Sequence, residues 1–297
     1  MRYVIGTRGS KLALVQAEYV KNRLEETYAE DEFEIKVIHT TGDKNPTQAL
    51  EAIGTKGVFT DEIEKELLSG EIAMAVHSMK DMPGEIDERL IFAKAWDRED
   101  PRDVLILKDA VSLDALRQGA VIGTGSKRRA YQLKKLRPDL KIANIRGNVD
   151  TRIKKLYDPA QGLDGIVIAA AGMKRLHREN EITQYLSFDE MIPAPTQGIL
   201  AIEVRRDHTG LLDKLNALSC RQTNLAAVAE RRFLQGIGAD CHYPIGAYYD
   251  ETGMFYAIFG RQDGSKIVSV KKKLHEKNME STIDEVIAEI TSKLGEE

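Results

Sequence analysis

Residues 122–155, IGTGSKRRAYQLKKLRPDLKIANIRGNVDTRIKK, read as two strand–turn–helix units in succession, an alternation that directs the chain toward an α/β fold. Residues 120–124 form a strand end, Gly125-Ser126 supplies a tight turn and an N-cap, and residues 127–137 form a helix stopped by Pro138. Residues 141–145 then read as a short strand, and Arg146-Gly-Asn148 turns into a second helix carrying Arg152. In both turns, backbone N–H groups at a helix N-terminus point the same way as guanidinium side chains, which makes a receptor for carboxylate or phosphate. Arg128 and Arg129 in a first helical turn oppose the helix dipole, a local cost that an anion bound there would offset.

The charge distribution leads the same way. The chain carries a formal charge of −4, yet residues 126–155 hold eleven Lys or Arg against only Asp139 and Asp150, so this stretch is +9 and the remainder −13. Such segregation is the footprint of an anionic ligand. A solvated basic face and a nucleic-acid surface are the competing readings. The acidic remainder argues against nucleic acid, as does the lack of interleaved aromatics, Tyr131 being the only one. A small polyanion fits better.

At 297 residues and 42% hydrophobic content, the chain can bury more than one core. No apolar run approaches the roughly 18 residues of a membrane helix, and the N-terminus lacks a secretory apolar segment, so a soluble, cytoplasmic protein with no membrane partner is expected. Cys220 and Cys241 have no metal-ligand spacing and the six histidines are dispersed, so neither a disulfide framework nor a metal site is indicated.

The chain opens on a strand over residues 2–6, then Thr7-Arg8-Gly9-Ser10, then a helix with Leu12, Val15, Ala17, Val20 and Leu24 at helical spacing. Ile5-Gly-Thr-Arg-Gly-Ser-Lys11 echoes Ile122-Gly-Thr-Gly-Ser-Lys127, as if two domains each held an anion-binding turn facing a common cleft. Ile53-Gly-Thr-Lys-Gly-Val-Phe59 is a glycine-flanked loop presenting Lys56 and Phe59. Residues 72–76 read as a buried strand delivering His77-Ser-Met-Lys-Asp-Met-Pro83, and ligand groups of open α/β sheets cluster just past such strand ends. Lys80 and Asp81 are either turn chemistry before Pro-Gly or a site, the carboxylate holding a cation or moving protons and the ammonium holding an acid.

Residues 96–104, charged and containing Pro101, read as a crossing out of the first domain, and Met191-Ile-Pro-Ala-Pro-Thr-Gln-Gly198 as the return. Two crossings imply an inserted middle domain with a hinge. The expected division is residues 1–98 with 199–220, residues 99–198, and residues 221–297. The last is a small α+β domain: a long helix over 223–234, a three-stranded antiparallel meander over 245–249, 254–259 and 266–271, and a helix over 283–294. Cys241 falls between that long helix and the first strand of the meander. A lone cysteine is by default a small buried hydrophobe.

His77-Ser-Met-Lys-Asp-Met-Pro83, Arg98-Glu-Asp-Pro-Arg-Asp103, Arg137-Pro-Asp-Leu140, Arg146-Gly-Asn-Val149 with Thr151-Arg152, and Cys241-His-Tyr-Pro-Ile-Gly246 together resemble the porphobilinogen deaminase (hydroxymethylbilane synthase) family. The match begins at Thr7-Arg8-Gly-Ser10 and keeps its order through nearly the whole chain. The resemblance implies two periplasmic-binding-protein-like α/β domains with a hinge and a cleft, plus a third domain. It also implies a transferase that joins four porphobilinogen molecules head to tail, releases ammonia at each step and yields hydroxymethylbilane in haem biosynthesis. A dipyrromethane cofactor held by a thioether, at Cys241 by motif position, would prime the chain. A monomer that hands its product to uroporphyrinogen-III synthase is the implied partner arrangement.

By the same matching, Asp81 is the catalytic carboxylate, stabilising the methylene-pyrrole cation left by ammonia loss. Ser78, Lys80, Thr124, Ser126, Arg128, Arg129, Arg146 and Arg152 fall where the family grips its cofactor, and Arg8, Ser10, Gln16, Lys56, Phe59, Arg175 and Gln197 where it meets substrate. Each porphobilinogen brings an acetate and a propionate, so the growing chain is a polyanion that the basic stretch matches. Departures from the family pattern are Ala239-Asp240 for the usual Gly-Gly before the cysteine, Thr196 for a glycine, Ala52 for a lysine and Thr47 for an aspartate. The alternative is a non-catalytic two-domain binding protein for an organic polyanion, which gives no reason for Asp81 or Cys241.

Overall fold

The computed structural model describes residues 1–40, 61–238 and 242–295. They fall into two compact units, Met1–Arg98 with Ile199–Asn224, and Glu99–Gly198 with Leu225–Glu297. In chain order the first stretch holds β1 (Arg2–Arg8), α1 (Lys11–Thr27), β2 (Glu32–Ile38), α2 (Asp61–Ser69), β3 (Met74–Ser78) and β4 (Leu90–Phe92). The middle stretch holds β5 (Asp103–Leu107), β6 (Val121–Gly123), α3 (Lys127–Leu136), β7 (Lys141–Ala143), α4 (Val149–Tyr157), β8 (Gly165–Ala169), α5 (Ala170–Arg175) and β9 (Gln184–Tyr185). There follow β10 (Leu200–Arg205), α6 (Thr209–Ala217), α7 (Arg221–Ile237), β11 (Gly246–Tyr249), β12 (Met254–Gly260), β13 (Ile267–Lys273) and α8 (Met279–Gly295).

Two five-stranded sheets share one plan. The first runs β2-β1-β3-β10-β4 and the second β7-β6-β8-β5-β9. In each, three strands are parallel (β1 with β2 and β3; β6 with β7 and β8), and the fourth position is an antiparallel strand, β10 or β5, lying next to a crossing residue stretch in sequence. Both sheets are thus mixed α/β layers, as expected for the two larger domains, and the third sheet is the expected three-stranded antiparallel one. The crossing read over residues 96–104 is shorter than expected, because Asp103 is already the first residue of β5.

Strand alternation gives each sheet two apolar faces. In the first sheet, Tyr3, Ile5, Met74, Val76 and Ile202 pack against Ala17, Val20 and Leu24 of α1, while Ala75 and Ile38 pack with Ile63 and Leu67 of α2. In the second, Leu105, Ile122 and Val167 join Leu133 of α3 on one face, and Val104, Ile106, Ile166 and Ile168 join Ile153 and Leu156 of α4 on the other. The antiparallel sheet β11-β12-β13 buries Phe255, Ala257 and Val270 against Phe233 of α7 and Ile283, Val286 and Ile290 of α8. Its two hairpin turns use Gly253 (φ +84°) and Gly264 (φ +76°), left-handed positions that favour glycine. Among the described residues no helix is long and apolar enough to cross a membrane.

Candidate active site

In the second unit, the carboxyl ends of parallel neighbours β6 and β7 deliver the two turns singled out in the sequence. Thr124 Oγ1 accepts the Ser126 amide at 3.1 Å, and Ser126 Oγ in turn accepts the Arg129 amide at 3.5 Å, capping α3. Asn148 Oδ1 caps α4, accepting the Thr151 amide at 2.9 Å and its hydroxyl at 2.8 Å. Gly147 lies at φ +116°, and a Cβ there would sit 2.7 Å from Thr151 Cγ2, so this turn requires glycine. Arg152 Nε donates to Gly147 O at 2.8 Å and Lys155 Nζ to Arg146 O at 3.1 Å. Both cations thus bind the turn that carries the half-buried Arg146.

Arg128 and Arg129 are placed differently from the sequence expectation. They are only 4% and 5% exposed, and the anion that offsets them in the first turn of α3 is internal. Asp103, 0% exposed, accepts Arg128 Nη1 on Oδ2 at 2.5 Å, and Arg129 Nη2 and Nε on Oδ1 at 2.7 and 3.0 Å. Arg128 Nη1 also donates to Ile192 O at 2.7 Å, and Arg129 Nη1 to Val167 O at 3.2 Å. Burial alone would raise the Asp103 carboxyl, but the charges and hydrogen bonds of the two guanidiniums override it and hold it well below the usual carboxylate range. Two cations on one carboxylate still leave the cluster at +1.

Gln197, expected to meet substrate, is 1% exposed and works as an internal tie: its amide donates to Pro101 O at 2.7 Å and Asp103 Oδ1 at 3.0 Å. Arg175, at the end of α5, is half-buried and donates to Gly198 O at 2.6 Å. Thr196, in the glycine position of the family pattern, adopts φ +60°, a conformation that is costly for a β-branched residue.

In the first unit, the carboxyl ends of β1 and β3 are neighbours in a parallel pair. Arg8 closes β1, and Ser10 caps α1 by accepting the Ala13 amide at 3.3 Å. Gln16 is buried on α1 and its amide donates to Ser78 Oγ, the last residue of β3, at 2.9 Å. Two residues assigned separately therefore form one contact. Lys80 and Asp81 follow in a single 3₁₀ turn, Met79–Asp81. Lys80 is half-buried; Asp81 is exposed, and its carboxylate has no hydrogen bond or ion pair among the described residues. Behind them, His77 Nε2 stands 3.3 Å from Glu203 Oε2, both side chains buried.

Lys56, Phe59 and Cys241 lie outside the described residues, as do Thr47, Ala52 and Ala239-Asp240. Sequence reasoning missed Asp103 as the partner of Arg128 and Arg129, although it ends the Arg98-Glu-Asp-Pro-Arg-Asp103 motif. It also missed Glu230 of α7, whose only signal is a carboxylate in a helix that packs inward.

A family model described as "Porphobilinogen deaminase, dipyromethane cofactor binding domain" matches residues 3–213. The chain belongs to the porphobilinogen deaminase family. The porphobilinogen deaminase of Lachnospira eligens is 59% identical over 275 residues, covering 91% of this chain and 93% of that protein. The porphobilinogen deaminase of Clostridioides difficile is 48% identical over 272 residues, 90% of each. Among solved structures, the methionine binding protein MetQ aligns with a TM-score of 0.46 and 13% identity over 77% of this chain and 94% of that one. A porphobilinogen deaminase is a transferase of tetrapyrrole biosynthesis, and its cofactor is a dipyrromethane. The donors found here fit a group bearing acetates and propionates: two capped helix N-termini, a net-positive buried cluster, and Arg146 and Arg152 on one turn.

Proposed function

We propose that this chain condenses four porphobilinogen molecules head to tail, releasing ammonia each time, on a dipyrromethane held by a thioether to Cys241. The observation that carries the reading is a division of chemistry. The second unit gathers cations and helix N-termini at its strand ends, whereas the first presents Asp81, an exposed carboxylate on a turn fixed by β3.

When bound, the cofactor supplies the pyrrole carbon to which the first substrate is joined. Thr124, Ser126, Arg146 and Arg152 hold its carboxylates through charge-assisted hydrogen bonds. Arg128 and Arg129 act from behind, since Asp103 engages both; their net charge of +1 favours an anion at the α3 N-terminus without direct exposure of either side chain. Asp81 accepts hydrogen bonds from pyrrole N–H groups and stabilises the positive charge that develops on the substrate as ammonia departs. Ser78, steadied by Gln16, orients the turn that carries Lys80 and Asp81. Lys80, Arg8, Ser10, Lys56, Phe59 and Arg175 meet the carboxylates or rings of cofactor and substrate, and Gln197 holds the segment beside Asp103. The division into residues 1–98 with 199–220, 99–198 and 221–297 belongs to this reading, as do a cytoplasmic monomer and passage of its product to uroporphyrinogen-III synthase.

Intact mass before and after incubation with porphobilinogen, with peptide mapping, tests it. A dipyrromethane-sized adduct on the Cys241 peptide and pyrrole-unit increments after substrate are expected. A chain that never acquires an adduct would overturn the reading.

A further inference from the structure

Glu230 takes no part in the reading above, yet it is 0% exposed. Its two oxygens hold different parts of the second unit. Oε2 accepts the Thr196 amide at 2.5 Å, and Oε1 accepts the Tyr249 amide at 2.9 Å. A buried carboxylate is costly unless hydrogen bonds compensate it, and these compensating donors come from two segments far apart in sequence.

Both grips lead toward the proposed cofactor residues. Thr196 precedes Gln197, whose amide donates to Asp103 Oδ1 at 3.0 Å, and Asp103 engages Arg128 and Arg129 at the start of α3. From the other side, Tyr249 ends β11, and β11 touches the same arginine. A Cβ built on Gly246 would lie 3.0 Å from Arg128 Cδ and 2.7 Å from Pro193 O, and the Ala247 amide donates to Pro193 O at 3.0 Å. The path closes on itself through buried groups. Glu230 thus sits in α7 and holds the last residue of β11.

We propose that Glu230 is a positioning residue that holds β11 and the Thr196–Gln197 segment in place around the Arg128–Arg129 turn, so that these cations are set where an incoming dipyrromethane meets them. This rests on the reading of the chain as an enzyme that carries a dipyrromethane. The position demands a carboxylate: glutamine has the same shape but only one acceptor oxygen, and its NH₂ would face a backbone N–H. Glu230→Gln therefore loses one of the two grips.

The test uses the full chain made in cells that produce no porphobilinogen, then given porphobilinogen, with adduct formation followed by intact mass. Val286→Ala, in the α8 core and outside this path, serves as a stability control. Loading at least tenfold slower in Glu230→Gln is expected, with a retained cooperative melt, faster amide exchange at Thr196 and Tyr249, and ordinary loading in Val286→Ala. Gly246→Ala approaches the same junction without touching Glu230 and is expected to slow loading too, which decides the matter should Glu230→Gln not fold. Wild-type loading rates in Glu230→Gln, or in Gly246→Ala where the first variant is unfolded, would overturn the role. Equal slowing in Val286→Ala would also overturn it. A wild-type chain that takes up no adduct overturns the Cys241 reading and this role together, whereas a loaded wild type with an equally loaded Glu230→Gln overturns the role alone.

Discussion

Asp103 Oδ2 lies 2.5 Å from Arg128 Nη1, with Asp103 wholly enclosed and Arg128 nearly so. Breaking a buried pair by removing one charge costs about 3–5 kcal/mol, because the other charge is left uncompensated. Asp103→Asn is expected to lose stability near that range in urea unfolding at pH 7. The pH dependence has a definite sign. Because the folded carboxyl is depressed, its contribution is complete above the unfolded value of about 4 and is lost as pH falls toward the folded one. The gap between wild type and Asp103→Asn should therefore shrink as unfolding is measured at progressively lower pH below about 4.

Asp81 is exposed and has no partner among the described residues, so its replacement costs the fold little. Asp81→Asn removes the charge while keeping the shape. Porphobilinogen consumption should fall by roughly 10²–10³-fold, the loss typical of deleting an electrostatic stabiliser of a developing charge. The melting temperature should stay within about 1 °C, as expected of a surface substitution. Near-normal turnover would remove Asp81 from the mechanism.

Arg146 and Arg152 belong to the Gly147 turn, where Arg152 Nε already spends one donor on Gly147 O. A charge-assisted hydrogen bond contributes about 1.5–3 kcal/mol, so Arg152→Ala or Arg146→Ala should weaken carboxylate binding by roughly 10–100-fold. The deficit should appear in mass spectra as a low fraction of loaded protein or as stalled pyrrole increments. A fully loaded variant that elongates normally would show that this turn is not the carboxylate receptor.

What could be read from the sequence was local. Ser126 and Ser10 announce their helices because an N-cap is a short-range pattern, and Pro138 follows its helix end within two residues. The residues of the Ser78–Asp81 turn and the 146–152 turn were found because each is a contiguous motif. Asp103 escaped because its partners lie 25 and 26 residues away and a pairing between a strand end and a helix leaves no periodic trace. Glu230 escaped because an Ala-Glu-Arg-Arg run reads as the wet side of a helix, whereas its hydrogen bonds are formed 34 residues upstream and 19 downstream. β4 and β9, three and two residues long, are too short to carry an alternation. Composition marks the arginines as anion-seeking but cannot say whether the anion is a ligand or another part of the same chain, and for Arg128 and Arg129 Asp103 is one such anion.

Thr196 offers a prediction in the opposite direction, toward gain. Its φ of +60° costs an L-residue about 1–2 kcal/mol, while glycine adopts it freely. The greater freedom of glycine in the unfolded chain returns about 0.4–1 kcal/mol of that gain. Thr196→Gly should leave a net stabilisation of about 0.5–1 kcal/mol, read as a melting temperature higher by about 2 °C. A lower melting temperature would mean that the Thr196 hydroxyl, which donates to Pro195 O at 2.6 Å, contributes more than the strain it accompanies.

The shared strand plan has a consequence for how the chain is made. In the first sheet, β10 pairs with both β3 and β4, so that sheet stays split until Leu200–Arg205 has been synthesised. At ordinary elongation rates, β3 leaves the ribosome roughly ten seconds before its partner. Through that interval one edge of β3 offers unpaired N–H and C=O groups to any passing strand. The second sheet has no such wait, because β5 through β9 emerge in one uninterrupted run. Of these two sheets the first is therefore the one finished last, and a nascent chain stalled before Leu200 would hold a completed second sheet and an unfinished first.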